Sequence, residues 1–371
     1  MAASRIASLD GLRAIAIGLV LAEHGGVAFT DASSHWWAAP LINGGFGVRL
    51  FFVLSGFLIT GLLIREQERY GRISLRAFYV RRILRIFPAF YLYLGTVAAL
   101  AAAGWIAVSG SQILAAGTYT WNYLERWQPG GPAEGIWFLG HLWTLSLEEQ
   151  FYLVWPGVIV LAGWRSARRA ALLVPLAVPV LRVLLYVAFP AQRGQLGMMF
   201  HTGIDSIFIG CAFALWHEQL VVRLEKRSYM LGAALFAFIV SPILGHFFHG
   251  AYTITVGFGL DAICAGILIV NACNGGKFCD LLSWKPFCLI GTWSYSLYLW
   301  QQFFMTGYVK PWTGGFFWAL TATFTCGLIS HYLIEKPVLR LKRFFERSAF
   351  LAEVIPDGGT VVVPQADLHW K

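Results

Sequence analysis

The sequence predicts an all-α integral membrane protein, a bundle of about ten transmembrane helices with both termini in the cytoplasm. Three observations predict it. Of 371 residues, 58% are apolar and only 13% are charged, about half the charge of an ordinary soluble domain. Stretches of about 20 mostly apolar residues recur along the chain, each long enough to cross ~30 Å of hydrocarbon as a helix. A transmembrane barrel would instead alternate apolar and polar residues over segments of about ten. Finally, the cations gather in alternate loops, which sets the orientation.

The predicted spans lie near 11–29, 46–64, 86–107, 137–161, 170–189, 199–216, 229–248, 252–272, 287–306 and 315–334. An even number places together the loops Arg65 to Arg85, Arg165 to Arg169, Arg223 to Arg227, Lys277 to Lys285 and Lys336 to Arg347. The opposite loops carry only Arg49, Arg126, Arg193 and Lys310, with Arg182 inside a span. The formal charge of +9 therefore reports topology. The lipid bilayer is the expected partner, and nucleic acid is not. Six cysteines, at 211, 264, 273, 279, 288 and 326, show neither metal-ligand nor disulfide spacing. They read as packing residues, and no metal site is expected. Asp10 and Arg13 interrupt the approach to the first apolar run, and no small-x-small cleavage site follows cleanly, so that span is expected to be retained. The membrane domain covers 1–347. Residues 348–371 read as a short cytoplasmic tail, with turn signals at Pro356 and Gly358-Gly359. No internal repeat suggests an inverted-repeat transporter.

Polar residues inside the spans carry the chemistry. In the first span Arg13 and His24 are eleven residues apart, which puts them on one face, ~16 Å apart along the axis. Asp10 shares roughly that face and Glu23 does not. Ionisable groups at this depth normally face a bundle interior or a wet cavity. His24 reads either as a catalytic group or as a hydrogen-bonded interhelical histidine, and Asp10 and Arg13 either as site residues or as an anchor at the inner helix end. The second span opens with Gly44-Gly45-Phe46-Gly47-Val48-Arg49. Its Gly, Ser and Thr residues suit close helix approach, whereas Arg49, a cation on the outer side, is placed to meet an acceptor or a carboxylate.

Arg81, Arg82 and Arg85 form a compact basic patch where the third span begins. Arginine forks suit phosphate oxygens, but topology or anionic lipid also accounts for such a patch. The fourth span carries His141, Ser146, Glu148, Glu149, Gln150 and Tyr152, with His141, Glu148 and Tyr152 on one face. An ionised carboxylate in hydrocarbon costs several kcal/mol, so Glu148 needs a site or a partner. For Asp205 and Asp261 a helix–helix hydrogen bond is an equal reading.

The combination resembles the acyltransferase-3 family of integral membrane acyltransferases, which includes O-antigen O-acetylases and macrolide acyltransferases. The likeness runs from residue 8 to about 343. It rests on Leu9-Asp10-Gly11-Leu12-Arg13 with His24, on Gly47 to Thr60, and on Arg81-Arg82-x-x-Arg85-x-x-Pro88. It rests also on Trp143-x-Leu145-Ser146-x-Glu148-Glu149-Gln150-Phe151-Tyr152, on Tyr295 to Trp300, and on Ile334-Glu335-Lys336-Pro337. Two positions depart from it: Gln301, where many members have histidine, and Gly203, where many have arginine.

The resemblance implies that His24 is the catalytic histidine with Arg13 as its partner. It implies that Arg81, Arg82 and Arg85 lie near the phosphates of an acyl-coenzyme A donor, and that Ser146 and Glu148 belong to a second polar segment. Asp10, Arg49 and Tyr152 join as expected substrate contacts. On this reading His24 removes the proton from an acceptor hydroxyl that attacks the thioester, and Glu148 orients or charge-stabilises it. A covalent acyl-histidine is the alternative route. The donor is a substrate, acetyl-coenzyme A by family frequency, and no permanently bound cofactor is expected. The expected acceptor is a sugar of a cell-surface polysaccharide or glycoconjugate, and the expected location the bacterial inner membrane. The rival function is a transporter or flippase that uses the same polar stripe.

Overall fold

A computed structural model describes residues 6–30, 35–124, 133–305 and 315–340. Every regular element among them is helical. The chain opens with α1 (Ala7–Phe29), α2 (Gly44–Tyr70) and α3 (Leu75–Ala102). Short helices α4 (Gly110–Gly117), α5 (Trp121–Leu124) and α6 (Ala133–Gly140) lead into the long α7 (Leu142–Ala188). Then follow α8 (Phe200–Gly203), α9 (Asp205–Leu215), α10 (His217–Leu224), α11 (Arg227–Leu235), α12 (Ser241–Tyr252) and α13 (Phe258–Cys273). The described chain closes with α14 (Gly276–Leu282), α15 (Lys285–Phe304) and α16 (Phe316–Ser330).

Local chemistry explains the boundaries. Asn43 accepts from the Phe46 N–H at the start of α2, and Ser74 accepts from the Ala77 N–H at the start of α3. Gly71, at φ 69°, ends α2 in the left-handed conformation that favours glycine. Because Ser74 starts α3 eleven residues before the apolar run that sequence alone marks, Arg81, Arg82 and Arg85 lie on the helix itself rather than ahead of it.

Six helical stretches are long and apolar enough to cross a membrane. Two of them, Gly135–Ala188 with 54 residues and Arg227–Cys273 with 47, are about twice the length of one crossing. Each is broken at one residue, Gly163 at φ 77° and His249 at φ 45°. The predicted cytoplasmic loop at Arg165 to Arg169 is therefore absent. One glycine leaves the helical region and the chain re-enters helix at Trp164. Asp205–Leu215 and His217–Leu224 form a bent pair at 87°. The predicted tail at 348–371, Arg126 and Lys310 lie outside the described residues.

The solvent preference is inverted relative to a soluble bundle. Leu161, Leu176 and Val187 are 87%, 70% and 71% exposed, whereas Arg182, Asp205 and Gln301 are fully buried. Lipid accounts for the first set, and a polar interior for the second. The core is built on α1 packed against α2 and α15, and on α2 packed against α9. These contacts use small residues. A Cβ on Gly56 would overlap the Ile207 carbonyl oxygen, one on Gly210 the Val53 carbonyl oxygen, and one on Gly291 the Asp10 carbonyl oxygen. Gly56→Leu is accordingly expected to drive α2 from α9 at a cost of about 1–3 kcal/mol or more. Size-exclusion profiles in detergent should show loss of the folded species. Gly157→Ala, where a Cβ meets nothing within 4 Å, should leave the profile unchanged.

Candidate active site

Two polar clusters lie at different depths along the same helices. At the end where α1 stops and α2 starts, a cavity of about 400 Å³ is lined by Glu23 and His24 of α1, Gly44, Gly45 and Arg49 of α2, and Trp137 of α6. His141 and Trp143, which flank the start of α7, join Tyr298 and Gln302 of α15 in completing the wall. The second holds Asp10 and Arg13 near the start of α1, Arg81, Arg82 and Arg85 of α3, and Glu148, Glu149 and Tyr152, six to ten residues into α7. α1 and α7 thus each supply both clusters, as helices with polar residues spaced over several turns must.

His24 is held by Gln301. Its Nδ1 lies 2.8 Å from Gln301 Oε1, and the Gln301 amide nitrogen donates to Gln302 Oε1 at 3.4 Å. With the amide oxygen turned to the ring, Nδ1 carries the proton and Nε2 keeps its lone pair. The indole of Trp137 stands edge-on to the imidazole, with centroids 6.1 Å apart. Trp137 is itself fixed by donating to the Gln302 carbonyl at 2.9 Å. Tyr298 donates to the His141 carbonyl at 3.0 Å and pairs with the Thr144 hydroxyl at 2.7 Å. The cavity wall is therefore locked by hydrogen bonds outside the space it encloses.

Sequence reasoning placed Glu23 off the functional face, yet it lines the cavity beside His24. Adjacent helical residues point about 100° apart, and a cavity this wide receives both. Glu23 accepts from the Gly45 N–H at 3.0 Å, so its carboxylate sits on the positive N-terminus of α2. A Cβ on Gly44 would collide with that carboxylate. Arg49 is 5% exposed, with its guanidinium 3.5 Å from the centroid of Phe258.

In the second cluster, Arg13 pairs with Asp10 at 2.9 Å. Glu148 accepts from the Ser55 hydroxyl at 2.5 Å and stands within electrostatic reach of Arg82 and Arg13. Glu148 is thus hydrogen-bonded to Ser55 and His24 to Gln301, so the polar contact that orients the imidazole comes from α15 rather than α7. Arg82 lies 3.5 Å over the Tyr152 ring and 3.8 Å from Glu149. Arg81 is committed to Glu66 at 2.7 Å, while Glu66 also accepts from the Ser74 N–H and so ties α2 to the start of α3. Arg85 is exposed and has no ion pair among the described residues. Ser146 is fully buried, and its hydroxyl donates to the Leu142 carbonyl of its own helix at 2.9 Å.

Chemically, the cavity offers an imidazole nitrogen, a carboxyl group, a guanidinium and aromatic walls. The second cluster offers cations, of which Arg85 is exposed and has no ion-pair partner among the described residues. No group of three or more metal-ligating side chains occurs among the described residues.

Residues 6–334 match the family model described as an acyltransferase domain. A Bacillus subtilis protein, YrhL, is 30% identical over 390 residues, covering 94% of this chain and 57% of its own length. The peptidoglycan O-acetyltransferase OatA of Listeria monocytogenes is 26% identical, with 95% of this chain and 60% of that protein covered. The O-acetyltransferase OatA of Staphylococcus aureus is 28% identical, with coverages of 92% and 58%. This chain thus spans less than two thirds of the length of these relatives. No solved structure matches.

Proposed function

Because this chain belongs to the acyltransferase-3 family, we propose that it transfers an acetyl group from acetyl-coenzyme A in the cytoplasm to a hydroxyl of a cell-surface glycan. The observation that carries this reading is His24, with Nδ1 bound to Gln301 and the rest of the ring facing a cavity. The names of OatA in two organisms support an O-acetyl transfer and, in one, a peptidoglycan acceptor.

A topology of ten crossings with both termini cytoplasmic is supported by the breaks at Gly163 and His249, the bent pair, α15 and the loop cations. Asp10, Arg13 and the arginines of α3 then face the cytoplasm, and the His24 cavity faces outward, in the cell membrane. Arg85 and Arg82 meet the donor phosphates, with Arg81 holding the start of α3 in place. Arg13 and Glu148 stand beside the donor, Asp10 holds Arg13, and Tyr152 holds Arg82. Ser146 acts only through the packing of its helix.

In the reaction, His24 Nε2 takes the proton from the acceptor hydroxyl as its oxygen attacks the thioester carbonyl carbon. A C–O bond forms, the C–S bond breaks, and the proton passes to the departing thiolate. Eleven residues of α1 separate Arg13 from His24 by ~16 Å, so the acyl end of a long donor reaches His24 while its phosphates stay among the arginines. The test is transfer of labelled acetyl from acetyl-coenzyme A by the reconstituted protein to lipid-linked or isolated wall glycan. Base-labile label in the glycan is expected. Equal glycan O-acetylation in cells with and without the protein, together with no label transfer, overturns the proposal.

A further inference from the structure

Arg49 is the guanidinium that lines the outer cavity. It lies in the second turn of α2, is 5% exposed, and its Nε and Nη1 have no hydrogen-bond partner among the described residues. The face of Phe258 lies 3.5 Å from its guanidinium carbon and that of Phe52 5.9 Å, and a ring face attracts a cation without satisfying its N–H groups. A buried guanidinium with idle donors is costly unless something completes it.

The neighbouring carboxylates do not. Asp205, the carboxylate that acts most strongly on Arg49, makes its ion pair with Arg182 at 2.8 Å. Glu23 is held on the Gly45 amide. Asp261 is within electrostatic reach of Arg49 but makes no ion pair with it among the described residues. The cavity in front of Arg49, about 400 Å³, falls in the size range of small-ligand sites. Trp137, Trp143 and Tyr298 supply aromatic surface to the same wall, and His24 lines it too.

We propose that the cavity takes a sugar bearing an oxyanion, either a carboxylate or a phosphate, and that Arg49 is the residue that reads it. Arg49 donates charge-assisted hydrogen bonds to the oxyanion, and the aromatic walls hold the apolar faces of the ring. One hydroxyl of the same sugar is thereby presented to His24. Acceptor selection thus uses a group separate from the one that moves the proton. The assignment rests on the acyl-transfer reading for the role of His24 alone.

The test is binding to the purified full chain in detergent without donor, read by tryptophan fluorescence. The probes are N-acetylglucosamine, its ether N-acetylmuramic acid, which adds a carboxylate, and N-acetylglucosamine 1-phosphate. At least one charged sugar is expected to bind about tenfold or more tightly than the neutral one, and the tighter of the two names the oxyanion. The preference should fall to about one in Arg49→Gln and persist in part in Arg49→Lys. Equal affinities for all three sugars in the unsubstituted protein overturn the proposal whether or not the variants fold. A preference that survives Arg49→Gln overturns it as well. Acetyl transfer is measured separately on the same preparation. A charge preference without transfer would refute the acyl-transfer reading and leave the anion site standing.

Discussion

His24→Ala is expected to lower acetyl transfer about 10²–10⁴-fold, the range that a positioned acid–base group contributes. The fold should survive the change. Among the described residues the His24 ring hydrogen-bonds the Gln301 side chain alone and faces an existing cavity, so truncation enlarges a space already open. The same membranes should yield the same amount of protein with the same size-exclusion profile and an undiminished ability to bind donor, because the arginines lie at the opposite end of α1. A second variant separates position from chemistry. Gln301→Leu keeps the imidazole but removes the acceptor on Nδ1, so the tautomer and ring orientation are no longer set. Its loss should be smaller than that of His24→Ala and appear in kcat, with KM for the donor unchanged. Full activity in His24→Ala would end the general-base reading and the acyl-histidine route together.

Much of this site is legible in the sequence because helices make spacing into geometry. Polar residues at 10, 13 and 24 of one apolar run, and at 141, 148 and 152 of another, have to share interior faces when lipid takes the outside. The partners across helix interfaces are not legible, since they depend on rotation and depth. Gln301 stands out only as a departure from the family pattern, yet it is the group on His24 Nδ1. Gly203 is a second departure, and here the structure supplies the reason. A Cβ there would overlap the Gly197 carbonyl oxygen and the Leu147 side chain, so no longer residue fits. The guanidinium of that region comes instead from Arg182 on α7, which sequence alone shows only as a cation inside a span. Continuous helix across Arg165–Arg169 was equally hidden, because five residues rich in arginine read as a loop when the break is a single glycine.

The pair that Arg182 forms with Asp205 leads to the other large effect. Asp205→Asn is expected to destabilise the bundle by about 3–5 kcal/mol, because it leaves a buried cation without its counter-charge. Both side chains are fully buried and 2.8 Å apart. Arg182 also donates to the Ile254 and Thr202 carbonyls, each at 2.8 Å, so it joins α7 to the turn before α13 and to α8. The thermal midpoint in detergent should fall and the folded yield should drop. Arg182→Met is expected to do the same, by freeing the carboxylate. Combining Arg182→Met with Asp205→Leu should cost less than the sum of the single changes, because neither charge is then stranded. Phe258 carries the disturbance into the cavity, since its ring lies 5.0 Å from the Arg182 guanidinium carbon and 3.5 Å from that of Arg49. Surviving Asp205→Asn protein should therefore bind charged sugars less well while still binding donor. A midpoint unchanged by either single substitution would mean that the pair is not the clamp its burial implies.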